Sequence, residues 1–153
     1  MSSKSKIIIS GVVIGLFVLG IFLNYVSSEL FSLRYWNPIK KVYINGNLVK
    51  AEVVKDKEKI EQGLAGRKSL PDGRGMLFVM PTGDFQHFWM QGMLLSIDII
   101  WIEENRVIGC EERILPEDKR IFTSPGKASL VLEAPAGFCE KNNVEMNDSV
   151  EMP

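Results

Sequence analysis

Six side chains hold the groups from which a site could be built: Arg67, His87, Trp89, Gln91, Asp98 and Glu133. His87, Trp89 and Gln91 alternate along one stretch. A strand there turns His87 and Trp89 to one face, joined by Gln91 if the strand extends, and sends Phe88 and Met90 to the other. An indole in line with an imidazole and an amide suits a groove for a small polar ligand or a sugar, the ring supplying a stacking surface. The same Trp also suits a core or an ordinary sheet surface.

In Leu95–Ile102, alternation puts Leu95, Ile97, Ile99 and Trp101 on one face and Ser96, Asp98, Ile100 and Ile102 on the other. Asp98 therefore stands in a strand that is apolar on both sides, and Glu133 stands in the apolar run LVLEA. An ionised carboxylate in such surroundings needs a partner. Arg67 is the candidate, because a guanidinium grips a carboxylate through two parallel N–H groups. A hydrolase would use Asp98 or Glu133 with His87, backed by Arg67. The alternative for both acids is a solvated edge position or a satisfied internal ion pair.

Other chemistries are excluded by what the chain lacks. His87 is the only histidine, so there is no H-E-x-x-H metal helix. There is no C-x-x-C pair, no G-x-G-x-x-G turn and no phosphate-binding P-loop, and neither metal nor cofactor is expected. Cys110 and Cys139 are the only cysteines; they pair in an oxidising compartment or remain buried thiols in a reducing one. Asn147-Asp148-Ser149 fits a glycosylation acceptor and equally an Asn-Asp turn.

The elements that must position these groups follow from pattern and punctuation. Asn45-Gly46 marks a hairpin between strands at about 40–44 and 47–54, since both turn positions require positive φ. Asp56 offers a helix cap before Lys57–Gln62, and Gly63 an end. Met76–Met80, Phe85–Met90, Leu95–Ile102, Arg106–Ile114 and Ser129–Ala134 read as strands. Pro81-Thr82-Gly83 reads as a turn, and Leu115–Lys127 as a loop. Pro135 begins a short helix covering Gly137–Lys141, and a last strand or turn lies near Asn147-Asp148. The class is α+β, mostly β: a compact antiparallel, barrel-like sheet with one or two short helices.

The blocks EQGLAGRKSL, GMLFVM, FWMQGMLLSIDIIWI and LVLEAPAG, in this order, resemble the uncharacterised domain-of-unknown-function family 192 across most of residues 41–150. The resemblance implies a small β-rich fold with one or two short helices and implies no activity. The chain departs from the family pattern in three places. Gln91-Gly92-Met93 replaces a Lys-Asn-Thr stretch, Ser96 replaces a Pro, and Ala65 stands where a bulkier residue, often Met, is usual.

Ahead of this domain, Ile7–Val26 is twenty residues without a charge. At about 1.5 Å per residue it spans a bilayer core of about 30 Å as a helix. We expect residues 1–6 as a cytoplasmic tail, 7–26 as a transmembrane helix, 27–38 as a tether and 39–153 as an extracytoplasmic domain. Lys4 and Lys6 bias the N-terminus inward. The alternative is a signal peptide cleaved at Val26-Ser27-Ser28, giving a secreted protein. Gly11 and Gly15 form a G-x-x-x-G pair that suits a helix homodimer.

Of 18 basic residues Lys4 and Lys6 precede the run, leaving 16 against 19 acidic groups, a net of −3. That balance excludes a nucleic-acid surface, which needs clustered positive charge. The functional expectation is a membrane-tethered binding or accessory module. A hydrolase and a structural subunit of a membrane complex are the alternatives.

Overall fold

The computed structural model describes residues 37–153. The expected anchor, the Gly11–Gly15 pair and most of the expected tether lie outside these described residues. Among the described residues no helix is long and apolar enough to cross a membrane. The folded unit opens at Asn37, two residues before the expected start of the domain.

Seven strands and two short helices follow in chain order. They are β1 (Ile39–Ile44), β2 (Asn47–Val54), α1 (Lys57–Gln62), β3 (Arg74–Phe88), β4 (Ile97–Glu103), β5 (Arg106–Ile114), β6 (Phe122–Pro135), α2 (Phe138–Lys141) and β7 (Val150–Glu151). One sheet holds all seven in the order β5-β4-β6-β3-β2-β1-β7. Asn45 and Gly46, at φ 48° and 79°, make the hairpin turn that their types require. Glu104 and Asn105, at φ 46° and 59°, turn β4 into β5 in the same way.

The sheet is not wholly antiparallel. β2 and β3 pair in parallel, from Lys50 opposite Arg74 to Val54 opposite Phe78. Parallel neighbours need a crossover, and α1 with the chain to Gly73 supplies it. This crossover is what carries residues 57–67 over one face of the sheet.

Two sequence expectations fail for one physical reason. Pro81-Thr82-Gly83 is not a turn but part of β3, and residues 122–127 are not loop but the start of β6. The two long strands remain paired because bulges absorb the prolines, with register shifts between Val79 and Asp84 and between Phe85 and His87. Buried Gln86 replaces the lost ladder bonds. Its amide donates to the carbonyls of Thr82, Asp84 and Ala128, and its N–H donates to Ser124 Oγ at 2.9 Å.

Apolar side chains fill both faces. On one face Ile44, Val49, Leu77, Ile100, Leu132 and Val150 form a cluster drawn from β1, β2, β3, β4, β6 and β7. The sheet curls around this cluster into a half-barrel. The N–H of Val107 in β5 donates to Asp148, next to β7, which brings the two sheet edges together. On the outer face Met76, Phe78, Phe88, Ile99, Trp101 and Phe122 form the second cluster. Phe88 stacks edge-on against both Phe78 and Trp101, with centroids 5.0 and 5.5 Å away. β4 lies between the clusters, and this is why IDIIWI is apolar on both sides.

Candidate functional site

Alternation along β6 sends Leu132 and Ala134 into the half-barrel and Val131 and Glu133 to the outer face. Glu133 faces Met76 on β3 and Ile99 on β4, so a carboxylate sits among apolar neighbours in the middle of the sheet. It is 4 % exposed, and its Oε2 has no hydrogen-bond partner. Burial pushes the carboxyl up to about 8, against an opposing pull from Arg67.

The crossover from β2 to β3 roofs this position incompletely. Gly63 ends α1 at φ 51°, where a side chain is strained, and a Cβ there would stand 3.8 Å from Glu133 Oε2. Between this roof and the end of β3 lies a cleft of about 80 Å³. Glu133 lines it with Leu64, Met80, Phe88 and Met93, and Glu61 lies on its wall. His87, Trp89 and Gln91 line the same cleft, but alternation is not the reason: β3 ends at Phe88, and Phe88 lines the cleft with them. Trp89 is 48 % exposed, an indole presented to solvent. His87 Nδ1 lies 2.9 Å from Thr123 Oγ1, which orients the imidazole. Beyond Trp89 and Gln91 opens a wider groove of about 670 Å³, bounded by Pro116, Arg120 and Ile121.

The expected pairing of Arg67 with Asp98 does not form. Arg67 gives both terminal nitrogens to Glu52, and this pairing first of all holds Glu52 below the usual carboxylate range. Asn37 Nδ2 also donates to Glu52, at 3.1 Å, and Lys59 Nζ donates to Asn37 Oδ1 at 2.8 Å. Glu52 sits in β2 one turn of chain before α1, and alternation alone gave no reason to single it out. Glu61, Leu64, Met80 and Met93 were likewise invisible as site residues. Only the crossover brings them together.

Asp98 is fully buried outside the cleft, with its carboxylate occupied. Oδ1 accepts the backbone N–H groups of Arg113 at 2.7 Å and Gly137 at 3.0 Å, and Oδ2 accepts that of Cys139 at 2.8 Å. It thus fixes the start of α2 to the strand β4. The structure joins Cys139 to Cys110, with sulfurs 2.07 Å apart. Asp98 and the two sulfurs lie within 4.8 Å of one another, but the sulfurs are spent on the disulfide and leave no thiolate for a metal ion. Of the four residues of the hydrolase set, the cleft assembles His87 and Glu133 and not Asp98 or Arg67.

The comparisons with known proteins agree with this architecture. Residues 40–152 match the model of the uncharacterised family DUF192, described as "Uncharacterized ACR". The chain belongs to DUF192. A DUF192-like fold recurs in the crystal structure of a protein of unknown function from Novosphingobium aromaticivorans. That protein is 26% identical, with a TM-score of 0.71 over 74% of this chain and 84% of the other. A Sinorhizobium meliloti protein described as a "putative transcription regulator" shares the fold at 24% identity. Its TM-score is 0.71, over 76% of this chain and 95% of that one. A search of curated proteins finds no match.

Ala65, Gln91 and Met93 also line the cleft. Gly92, at φ 77°, brings its backbone against Ala65: the Gly66 N–H donates to the Gly92 carbonyl at 2.9 Å, and a Cβ on Gly92 would meet Ala65 Cβ at 3.3 Å.

Proposed function

We propose that the domain is a binding module for a small ligand with a polar head and an apolar body, held at a membrane surface by the N-terminal segment. One observation carries the binding role. The unpartnered Oε2 of Glu133 lies at the inner end of a cleft whose mouth is the exposed indole of Trp89. A buried polar group without a partner costs about 1–3 kcal/mol. A ligand that supplies the partner recovers that cost, whereas water reaching the same atom must be confined among hydrocarbon and thioether walls. The tether rests on the uncharged run Ile7–Val26, and Lys4 and Lys6 favour an extracytoplasmic domain.

The binding role is tested on the full-length protein in detergent, with methionine methyls labelled and D-glucose, n-butyrate, 1-butanol and n-butylammonium as probes. Saturable shifts of the Met80 and Met93 methyls by at least one probe, weakened by Trp89→Ala, are expected. Silence of both methyls toward all four probes rules out this role. Membrane fractionation tests the tether separately: an unprocessed chain extracted by alkaline carbonate is not anchored.

A further inference from the structure

We infer that the cleft recognises an alkylammonium group, its nitrogen held by Glu133 and its chain lying against Met80, Met93 and Phe88; this rests on the binding role proposed above. Charge is the first argument. The cleft is lined by two carboxylates, Glu61 and Glu133, and by no lysine or arginine. The nearest guanidinium, Arg67, is closed by Glu52 and offers no free donor pair to an anion. Glu61 is exposed and pairs with Lys57 at 3.8 Å, so Glu133 decides: a cationic head favours its ionised form, whereas an anionic head finds no cation in the lining to hold it.

The walls decide which cation. A hard metal ion takes about six oxygen ligands. Leu64, Met80, Phe88 and Met93 supply none, so the cation that fits carries its own hydrocarbon. Trp89 at the mouth offers an indole face, which attracts an ammonium on its way in. A polyol, by contrast, would leave its hydroxyls against thioether and ring carbons.

The proton balance is explicit. A neutral Glu133 carboxyl and R–NH3+ become a carboxylate–ammonium pair, and one proton leaves to solvent. The groups that bear on this step are Arg67 beyond α1, Glu61 on α1 with Lys57 paired to it at 3.8 Å, and His87 on β3. On β4 the outer face presents only Ile97, Ile99 and Trp101. Affinity for the ammonium should therefore rise about tenfold per pH unit until Glu133 is ionised, near pH 8, and then level off. The amine itself comes free or on a larger molecule, since the groove beyond Trp89 has room for a remainder.

Titrating the full-length protein in detergent with n-butylammonium, and in parallel with 1-butanol and N-acetyl-lysine methylamide, decides the matter. At pH 9 n-butylammonium should shift the Met80 and Met93 methyls with an affinity at least about tenfold above 1-butanol, and Glu133→Gln should remove that preference. Calorimetry of the unmutated protein at pH 7, in buffers of different ionisation enthalpy, should show one proton released, which keeps the test independent of whether the variant folds. Tighter binding of the lysine derivative marks an amine carried on a larger molecule; equal or weaker binding marks a free amine, and either result supports the head-group assignment. Equal binding of 1-butanol, or no proton release, overturns the ammonium assignment and leaves the cleft a binding site for another class. No methyl response to n-butylammonium, 1-butanol, glucose or butyrate overturns both.

Discussion

Arg67 and Glu52 close on each other through two hydrogen bonds, so the guanidinium whose charge acts on the buried Glu133 donates to Glu52, and Glu133 Oε2 has no partner. Replacing Glu52 by Gln should free the guanidinium to act on Glu133. The Glu133 titration midpoint, followed by carboxyl-carbon NMR, should then fall below about 8. The lost pair, partly exposed, should lower stability by about 1 kcal/mol at neutral pH. Glu52 is held below its ordinary value by Arg67, so its contribution is present above the unfolded pKa and disappears as pH falls through the folded one. Denaturation of both proteins should accordingly converge in acid. An unmoved Glu133 midpoint would sever the proposed link between the two acids.

Glu133 itself should give the domain an unusual pH profile. Its folded pKa, about 8, lies above the ordinary 4.5, so between these values the native state binds more protons than the unfolded chain. Stability should fall with rising pH across that window, by up to about 1.4 kcal/mol per unit, and be flat above it. Glu133→Gln keeps the shape and removes the charge. Urea midpoints for the variant should lose the slope and exceed the wild-type value at pH 9. A wild-type midpoint that is constant from pH 5 to 8 contradicts the assignment.

Much of the fold was legible because its signals are local. The hairpin turn at Asn45-Gly46 follows from residue types that tolerate positive φ, and Glu104-Asn105 turns β4 into β5 where the apolar runs break, with Glu104 at an unfavoured φ of 46°. His87, Trp89 and Gln91 share one cleft, though the strand expected to align them ends at Phe88, which lines the cleft too. Glu133 was singled out correctly as a carboxylate in an apolar strand. What could not be read is long-range. Neither the parallel pairing of β2 with β3 nor the partnership of Arg67 with Glu52, fifteen residues apart, has a periodic signature. Pro81 and Pro125 misled because a bulge, anchored here by Gln86, hides a proline inside a paired strand.

Asp98 should prove to be a fastener. Its three backbone donors come from β5, from Gly137 and from Cys139, so one carboxylate ties β4 to β5 and to α2. An Asn in its place offers one accepting oxygen and turns an NH2 toward N–H groups that themselves donate. Asp98→Asn should cost about 3–5 kcal/mol. It should also speed amide exchange, most at Arg113, Gly137 and Cys139, whose N–H groups lose their acceptor, and least at β1. A variant within 1 kcal/mol of wild type would deny the carboxylate this role.

The disulfide works on the same corner of the fold. It closes a separation of 29 residues, for which loop entropy alone predicts about 3–4 kcal/mol of stabilisation. Reduction should lower the denaturation midpoint accordingly, and the oxidised protein should weigh two hydrogens less than the reduced one. Alkylation of both thiols in the unfolded, unreduced protein would show that the bridge is not made.

Ala65 gives the sharpest control over the cleft. It stands on the roof, half-buried, with Gly92 packed against it. A Met at this position carries a thioether arm that can enter the 80 Å³ of free space beside Met80 and Met93. Filling a cavity with hydrocarbon typically adds about 0.5–2 kcal/mol. Ala65→Met should therefore stabilise the protein while abolishing the methyl shifts caused by any cleft ligand. It should also exclude the remaining water from Glu133 and raise its midpoint above about 8. These three effects have one cause and must appear together. A variant that is more stable yet still binds would mean that the ligand enters elsewhere, beyond Trp89, and not beneath the roof formed by α1.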